Sequence, residues 1–439
     1  MRAGPRPATS VVLFTRDLRV ADNPALTRAS AEGPVLALFV LDDRVLRAGT
    51  TGPNRLSFLL ESLSELRSSL RRLGADLYVR RGDPASVAVA AARGCGARTV
   101  HLAADVTTTA ARRRAELARL AAPAGVEVLE HPGVAVVDPG ALRPTGGGSH
   151  YRVFGPYERA WTAAARRALL GPPGTLEAPD GLEPGEIPDL ASLVAGADPV
   201  GRRRFAPLSP RDPSPGRARG GETEAARRLA SFSGRDGYAA RADLLGEAAT
   251  TRLGAYLHFG CVSPLAVERW ALEDGGGDGP EALVRQLCWR DFFLAVTRAV
   301  PSVSRVDYRP RPVSWRSDAE ELAAWADGRT GVELVDAGMR QLLAEGFLPN
   351  RARLVASSYL VKTLRHDWRE GAAHFLYWLT DGDVPSNSLN WQWMAGTGND
   401  TRPGRVLNPE RQARRWDPDR SYRALHLGTG GTPPRLPWG

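Results

Sequence analysis

The chain of 439 residues is long enough for two or three domains with sizeable cores. Hydrophobic residues make up 43% and charged residues 24%, a globular balance that excludes a disordered chain. The net charge of +9 favours an anionic partner, nucleic acid first. Of the 58 basic residues only Lys362 is a lysine, so a compositional bias towards arginine accounts for part of that charge. No apolar run approaches the roughly 18–20 residues of a membrane span. The only continuous apolar stretch near the start, 11–14, is too short for a secretory segment, and the chain reads as cytoplasmic. Cys95, Cys261 and Cys288 form no CxxC, which speaks against a disulfide framework and a zinc site, and no metal is expected. Ten of the 11 tryptophans follow residue 269, so the chain has two unlike parts.

The first part alternates strand and helix patterns. Residues 10–15, 35–41, 75–79, 99–102 and 126–129 read as strands. Asn23-Pro24, Asp83-Pro84 and 107–109 open helices between them. Leu56, Leu59, Leu60, Leu63, Leu66, Leu70 and Leu73 form an amphipathic stripe, which Gly74 stops. The pattern predicts an α/β domain over 10–165 with a doubly wound, Rossmann-like parallel sheet. Such sheets bind ligands at their C-terminal edge. Gly94-Cys95-Gly96 precedes a strand, so it reads as a helix stop and not a dinucleotide fingerprint.

Residues 166–221 are rich in Pro, Gly and Arg and read as a connecting loop. From 222 to 427 the periodicity is helical, with apolar stripes at Leu334, Val335, Met339, Leu342 and Leu343 and again over 354–364. An all-α second domain is expected there, followed by a loosely ordered tail over 428–439.

Four segments of the helical part are too polar and aromatic for plain core. Thr250-Thr251-Arg252-Leu253-Gly254 places hydroxyls and N–H groups at a helix start, suited to a pyrophosphate or simply to capping. Gln286, Trp289, Arg290 and Phe293 share one helical face, either a base-stacking platform or a half-buried amphipathic helix. Asn350, Arg351 and Arg353 would bind phosphate or a heterocycle, or form a solvated face. Asp381-Gly382-Asp383 would face ribose or arginine, or form an acidic turn; with no third hard ligand nearby a metal is not expected.

Together these segments resemble the photolyase/cryptochrome family, most of all the class I cyclobutane pyrimidine dimer photolyases. The motifs that carry the resemblance are WRDFF at 289–293, GRTGVELVDAGMRQL at 328–342, DWREG at 367–371, DGDVPSN at 381–387 and NWQWMAGTG at 390–398. The resemblance implies FAD, active in its reduced form, in an all-α FAD-binding domain. It also implies light-driven repair of flipped-out cyclobutane dimers in UV-damaged DNA, by a monomer. The matching cofactor positions are Tyr238, Thr250, Thr251, Arg252, Leu253, Gly254, Arg353, Asp381, Gly382, Asp383 and Asn387, with Arg353 and Asp381 paired and Asn387 facing flavin N5. Gln286, Trp289, Asn350, Arg351 and Trp393 match the lesion pocket, with Asn387 beside the flavin; Arg290, Phe293 and Gln412 match further DNA contacts. Trp391, Trp368 and Trp315 match an electron-carrying chain.

Some positions depart from the family pattern. Gln286 stands where many relatives have Glu, Leu354 where Met is common, Gly254 where Ser is usual, Ala242 where Arg is frequent and Ala21 where His is common. The Asn-Glu pair of folate-binding relatives is absent around 105–106, which favours a deazaflavin antenna over methenyltetrahydrofolate. The alternatives are a (6-4) photolyase or a cryptochrome-type photoreceptor. The histidines of (6-4) enzymes are missing at 350 and 354, although Gln286 leans towards that activity.

Overall fold

The computed structural model describes residues 8–195, 212–232, 236–247, 249–273, 275–400 and 404–428. The expected tail beyond 428 and the stretch 196–211 of the connecting loop lie outside them. Five parallel strands, β1 (Ser10–Phe14), β2 (Val35–Asp42), β3 (Leu77–Gly82), β4 (Thr99–Ala103) and β5 (Glu127–His131), form one sheet in the order β3-β2-β1-β4-β5. The chain starts in the middle and winds outwards in both directions, the doubly wound arrangement.

The unbroken apolar runs of β1 and β2 are explained by burial on both faces. Val12, Phe14, Ala37 and Phe39 pack with Leu56, Leu63 and Leu70 of the Pro53–Arg72 helix. Val11, Leu13, Leu36 and Leu38 point the other way, towards Ala88 and Ala92 of the Pro84–Gly94 helix and Leu117 of the Thr108–Ala121 helix. Asn23, Asp83 and Thr107 cap helix starts, Asn23 accepting from the Leu26 N–H at 3.1 Å. Gly74, at φ +101°, ends the long helix. β3 starts two residues later than the pattern suggests and continues to Gly82, because Arg80 to Gly82 still pair with β2 although they are polar.

The connecting segment runs back along the α/β half. Leu176 N–H donates to Leu73 O at 2.6 Å and Val79 N–H to Pro184 O at 2.8 Å. It also holds a short helix, Leu190–Ala195, where a periodless loop was expected. From 222 onwards the described elements are helical, with one isolated bridge between Arg316 and His366. Leu334, Val335, Met339, Leu342 and Leu343 are buried with Trp325, Trp368 and Trp391 in a second core. The 354–364 stripe is α-helical to Ser358 and π-helical over Tyr359–Thr363.

The halves are bolted together by the Asp278–Ala299 helix. Asp291 is fully buried and accepts from the N–H groups of Val136 and Val137 at 2.9 and 3.0 Å and from Trp161 Nε1 at 3.0 Å. Among the described residues no helix is long and apolar enough to cross a membrane.

Candidate functional site

The site is built where three helices converge. The 381–383 turn joins the Trp368–Trp378 and Val384–Ala395 helices. Arg353, on the Asn350–Ser358 helix, donates through Nη2 to both oxygens of Asp381, at 3.0 and 2.8 Å. Asp383 caps the next helix, accepting from the N–H and hydroxyl of Ser386 at 3.1 and 2.9 Å. Asp381 thus faces an arginine, as one reading of the sequence has it, while the cap formed by Asp383 is not among the sequence expectations. Asp383 is held well below the usual carboxylate range; its burial opposes this, but the charge of Arg16 and the hydrogen bond from His258 outweigh it. Asn387, also buried, donates to Ala372 O at 3.0 Å, which fixes the plane of its amide.

The 250–254 segment opens the short Gly254–Phe259 helix. That helix start has no side-chain cap, so its first N–H groups remain available, and Gly254 is exposed. Gly254 also lies hard against Asp381: a Cβ there would stand 2.3 Å from Oδ2. Arg252 departs from the sequence expectation. Its backbone is left-handed, at φ +51°, and its guanidinium turns away to Glu345 at 2.8 Å and over Phe347 at 4.3 Å. Tyr238 is half-buried, which raises its hydroxyl to about 12.

An uncapped helix start, an ion-paired carboxylate against a glycine that leaves no room for a Cβ, and a fixed buried amide form a donor and acceptor set that fits a flavin dinucleotide. Gly254, Arg353, Asp381, Asp383 and Asn387 are the groups that would hold it.

The aromatic part of the site forms a corner. Trp289 and Trp393 stand at 84° to each other with ring centroids 5.5 Å apart. Phe154 lies flat on Trp289, at 3.5 Å and 4°. Gln286 and Asn350 are exposed. Two of the expected DNA contacts face inwards. Arg290 donates to Val134 O at 2.6 Å and Leu257 O at 3.2 Å, and Phe293 is 5% exposed. The helical stripe is real, but it starts at the surface with Gln286 and dives between the two halves, so its far end joins domains. Arg351 and Gln412 do meet, at 3.3 Å, while Arg351 also pairs with Asp243 and covers Trp416 at 4.7 Å.

Of the three chain tryptophans, Trp368 and Trp391 are fully buried and Trp315 is half-buried at the edge of the same core. Trp368 Nε1 donates to Asp307 at 2.9 Å. A Cβ on Gly371 would lie 2.1 Å from Trp391, so that indole occupies space only a glycine leaves. Trp325, not singled out in the sequence, meets Trp391 edge-on at 6.0 Å.

Sequence reasoning also missed Arg16, His258, Phe154 and Asp291. Arg16 donates to Asp105 at 3.3 Å and to Asp383 at 2.5 Å, across the two halves. These partners lie 89 and 367 residues away in the sequence and leave no periodic signal. Asp105 also lines a cleft of about 460 Å³ at the C-terminal edge of the sheet, with Arg114, Glu130, Leu294 and Arg298.

Residues 10–178 match the DNA photolyase family and residues 283–428 the FAD binding domain of DNA photolyase. The deoxyribodipyrimidine photo-lyase of Streptomyces griseus is 47% identical over 94% of this chain and 88% of its own. A cryptochrome DASH of Natronomonas pharaonis is 35% identical over 94% and 89%. The crystal structure of a bacterial class III photolyase from Agrobacterium tumefaciens superposes with a TM-score of 0.86 at 30% identity, over 97% of this chain and 88% of the other. With both halves matched in order and relatives similar over nearly the whole chain, this chain belongs to the photolyase/cryptochrome family.

Proposed function

We infer that the protein repairs UV-damaged DNA in light, splitting cyclobutane pyrimidine dimers, and that it works as a cytoplasmic monomer with FAD in the helical half. The observation that carries this reading is the Trp289–Trp393 corner, on the same two helices that bear Gln286 and Asn387. A perpendicular pair of indoles gives a dimer of two linked rings one face to stack on and one edge to abut. The Gln286 amide both donates to and accepts from pyrimidine edges.

Exposed Arg411, Arg414 and Arg415 on the Pro409–Trp416 helix, next to Gln412, meet the phosphate backbone without reading sequence. A dimer stacks poorly, so flipping it out takes less energy than flipping an intact base, and selectivity gains from the difference. FAD held there in its reduced form would, when excited by light, lend one electron to the cyclobutane ring and take it back once the ring has opened. The protein orients: Arg353 holds Asp381, Ala372 O holds the Asn387 amide, and the aromatic corner keeps water from the lesion. Trp391, Trp368 and Trp315 run from the core towards the surface and suit light-driven reduction of an oxidised cofactor. The 460 Å³ cleft is the place for an antenna chromophore, a deazaflavin in preference to methenyltetrahydrofolate.

Likeness to a cryptochrome DASH, and Gln286 in place of Glu, keep a second reading in view. One experiment separates them. The purified protein, its FAD reduced, is irradiated with oligonucleotides carrying a cyclobutane dimer or a (6-4) lesion, against dark controls. Restoration of the cyclobutane substrate is expected. Repair of the (6-4) lesion alone, or of neither, would overturn the assignment.

A further inference from the structure

Arg16 belongs to the turn after β1, yet its guanidinium is sunk between the halves, with 13% of the side chain exposed. Nη1 reaches Oδ1 of Asp105 at 3.3 Å and Nη2 reaches Oδ2 of Asp383 at 2.5 Å. Nε donates to His258 O at 3.0 Å, and His258 Nδ1 lies 3.5 Å from the same Asp383 oxygen. The backbone is held as tightly: a Cβ on Gly260 would stand 1.9 Å from Arg16 O. One fixed cation is thus shared by two carboxylates. Asp105 lines the cleft at the sheet edge, and Asp383 starts the helix that carries Asn387, Trp391 and Trp393.

We propose that Arg16 is a positioning residue of the flavin site, contributed by the α/β half, which orients and neutralises Asp383 and so sets the affinity and reduction potential of FAD, with Asp105 competing for the same guanidinium. The proposal rests on the reading that the helical half holds FAD. A buried carboxylate acts on its surroundings far more strongly than one in water. Arg290 and Arg55 also act on Asp383, but less than Arg16 does, so without Arg16 its negative charge would be less well compensated beside the flavin, disfavouring both FAD docking and addition of an electron. Relieving Arg16 of Asp105 does the reverse, leaving more of its positive charge to the Asp383 side. The His258 imidazole is held down to about 4, first by burial, with the charge of Arg16 acting in the same direction.

The test is an anaerobic redox titration of the FAD-loaded protein, with FAD affinity measured by reconstitution, for wild type, Arg16→Gln, Arg16→Lys and Asp105→Asn at pH 8. Arg16→Gln is expected to bind FAD about tenfold or more weakly, the loss of one charge-assisted hydrogen bond, and to shift the potential negative. Asp105→Asn shifts it positive. Arg16→Lys returns the potential towards wild type but not the affinity, since an ammonium lacks the fork that spans both carboxylates. Loosened packing would move Arg16→Gln and Asp105→Asn the same way, and that result overturns the proposal. So does an Arg16→Gln protein with wild-type affinity and potential. If Arg16→Gln does not fold, Asp105→Asn with Arg16→Lys decides, and an unchanged potential in Asp105→Asn overturns it. Wild-type protein that takes up no FAD would instead overturn the flavin reading.

Discussion

A Cβ on Gly254 would stand 2.3 Å from Oδ2 of Asp381 and 2.9 Å from its Cβ, so the two residues approach this closely only because position 254 has no side chain. A serine at this position would collide with an Asp381 placed as it is here. The glycine lets the Asp381 carboxylate pack against the helix start, where Arg353 holds it from the other side. We expect Gly254→Ser to push Asp381 off Arg353 and to weaken FAD binding or fold stability by about 1–3 kcal/mol, the usual range for overpacking. Flavin titration together with thermal unfolding checks this. Unchanged values for both would mean that Asp381 moves aside freely.

Trp289→Ala should weaken binding to dimer-containing DNA by roughly 1–3 kcal/mol, the scale of one lost base stack. One face of this indole is already covered by Phe154 and its flank by Trp393, so a flipped base meets only what remains. Binding to undamaged DNA rests on phosphate contacts and should change little. An equal loss on both substrates would remove Trp289 from the lesion pocket and leave it as packing for Phe154.

The parts of this molecule legible in the sequence are those written in local patterns. Asn23-Pro24 capped a helix as read, and the continuous run at 35–41 became a strand buried on both sides. The pairing of Arg353 with Asp381 followed from family motifs, and the ion pair is present. What stayed hidden depends on distant contacts. The stripe from Gln286 to Phe293 has one period, but nothing in it tells where the surface ends or that Arg290 bonds Val134 O of the other half. Arg16 meets a residue 367 positions away. Phe154 precedes Trp289 by more than a hundred residues, and only the folded chain lays one ring on the other.

Asp291 ties acid stability to the interface between the halves. Burial is the largest influence on it and raises its carboxyl to about 6, although Arg290 and the donors Trp161, Val137 and Val136 pull the other way. A folded value above the unfolded one means that the folded state binds the extra proton between about pH 4 and 6. The stability from this group is therefore complete below about pH 4 and is lost as pH rises through 6, on the order of 2–3 kcal/mol. Asp291→Asn does not titrate, so its melting temperature relative to wild type should climb across that window and then level off. A difference independent of pH from 4 to 7 would show that the carboxyl ionises in the folded state as readily as in the unfolded.

Trp315 separates photoreduction from repair. Trp368 and Trp391 are sealed in the helical core, whereas Trp315 is half-buried at its edge, so it alone of the three can exchange with a donor in solution. Trp315→Phe keeps most of the ring's packing and removes an easily oxidised indole. The variant should fold, bind FAD and lose most light-driven reduction of the oxidised cofactor. With the flavin reduced chemically beforehand, it should still repair dimers at the wild-type rate, because that reaction does not use the chain. Both rates are measured on one preparation. Unchanged photoreduction would show that electrons leave by another route, for which Trp325, edge-on to Trp391 at 6.0 Å, is the first residue to replace. Loss of repair even with pre-reduced flavin would instead make Trp315 part of the fold that holds the site.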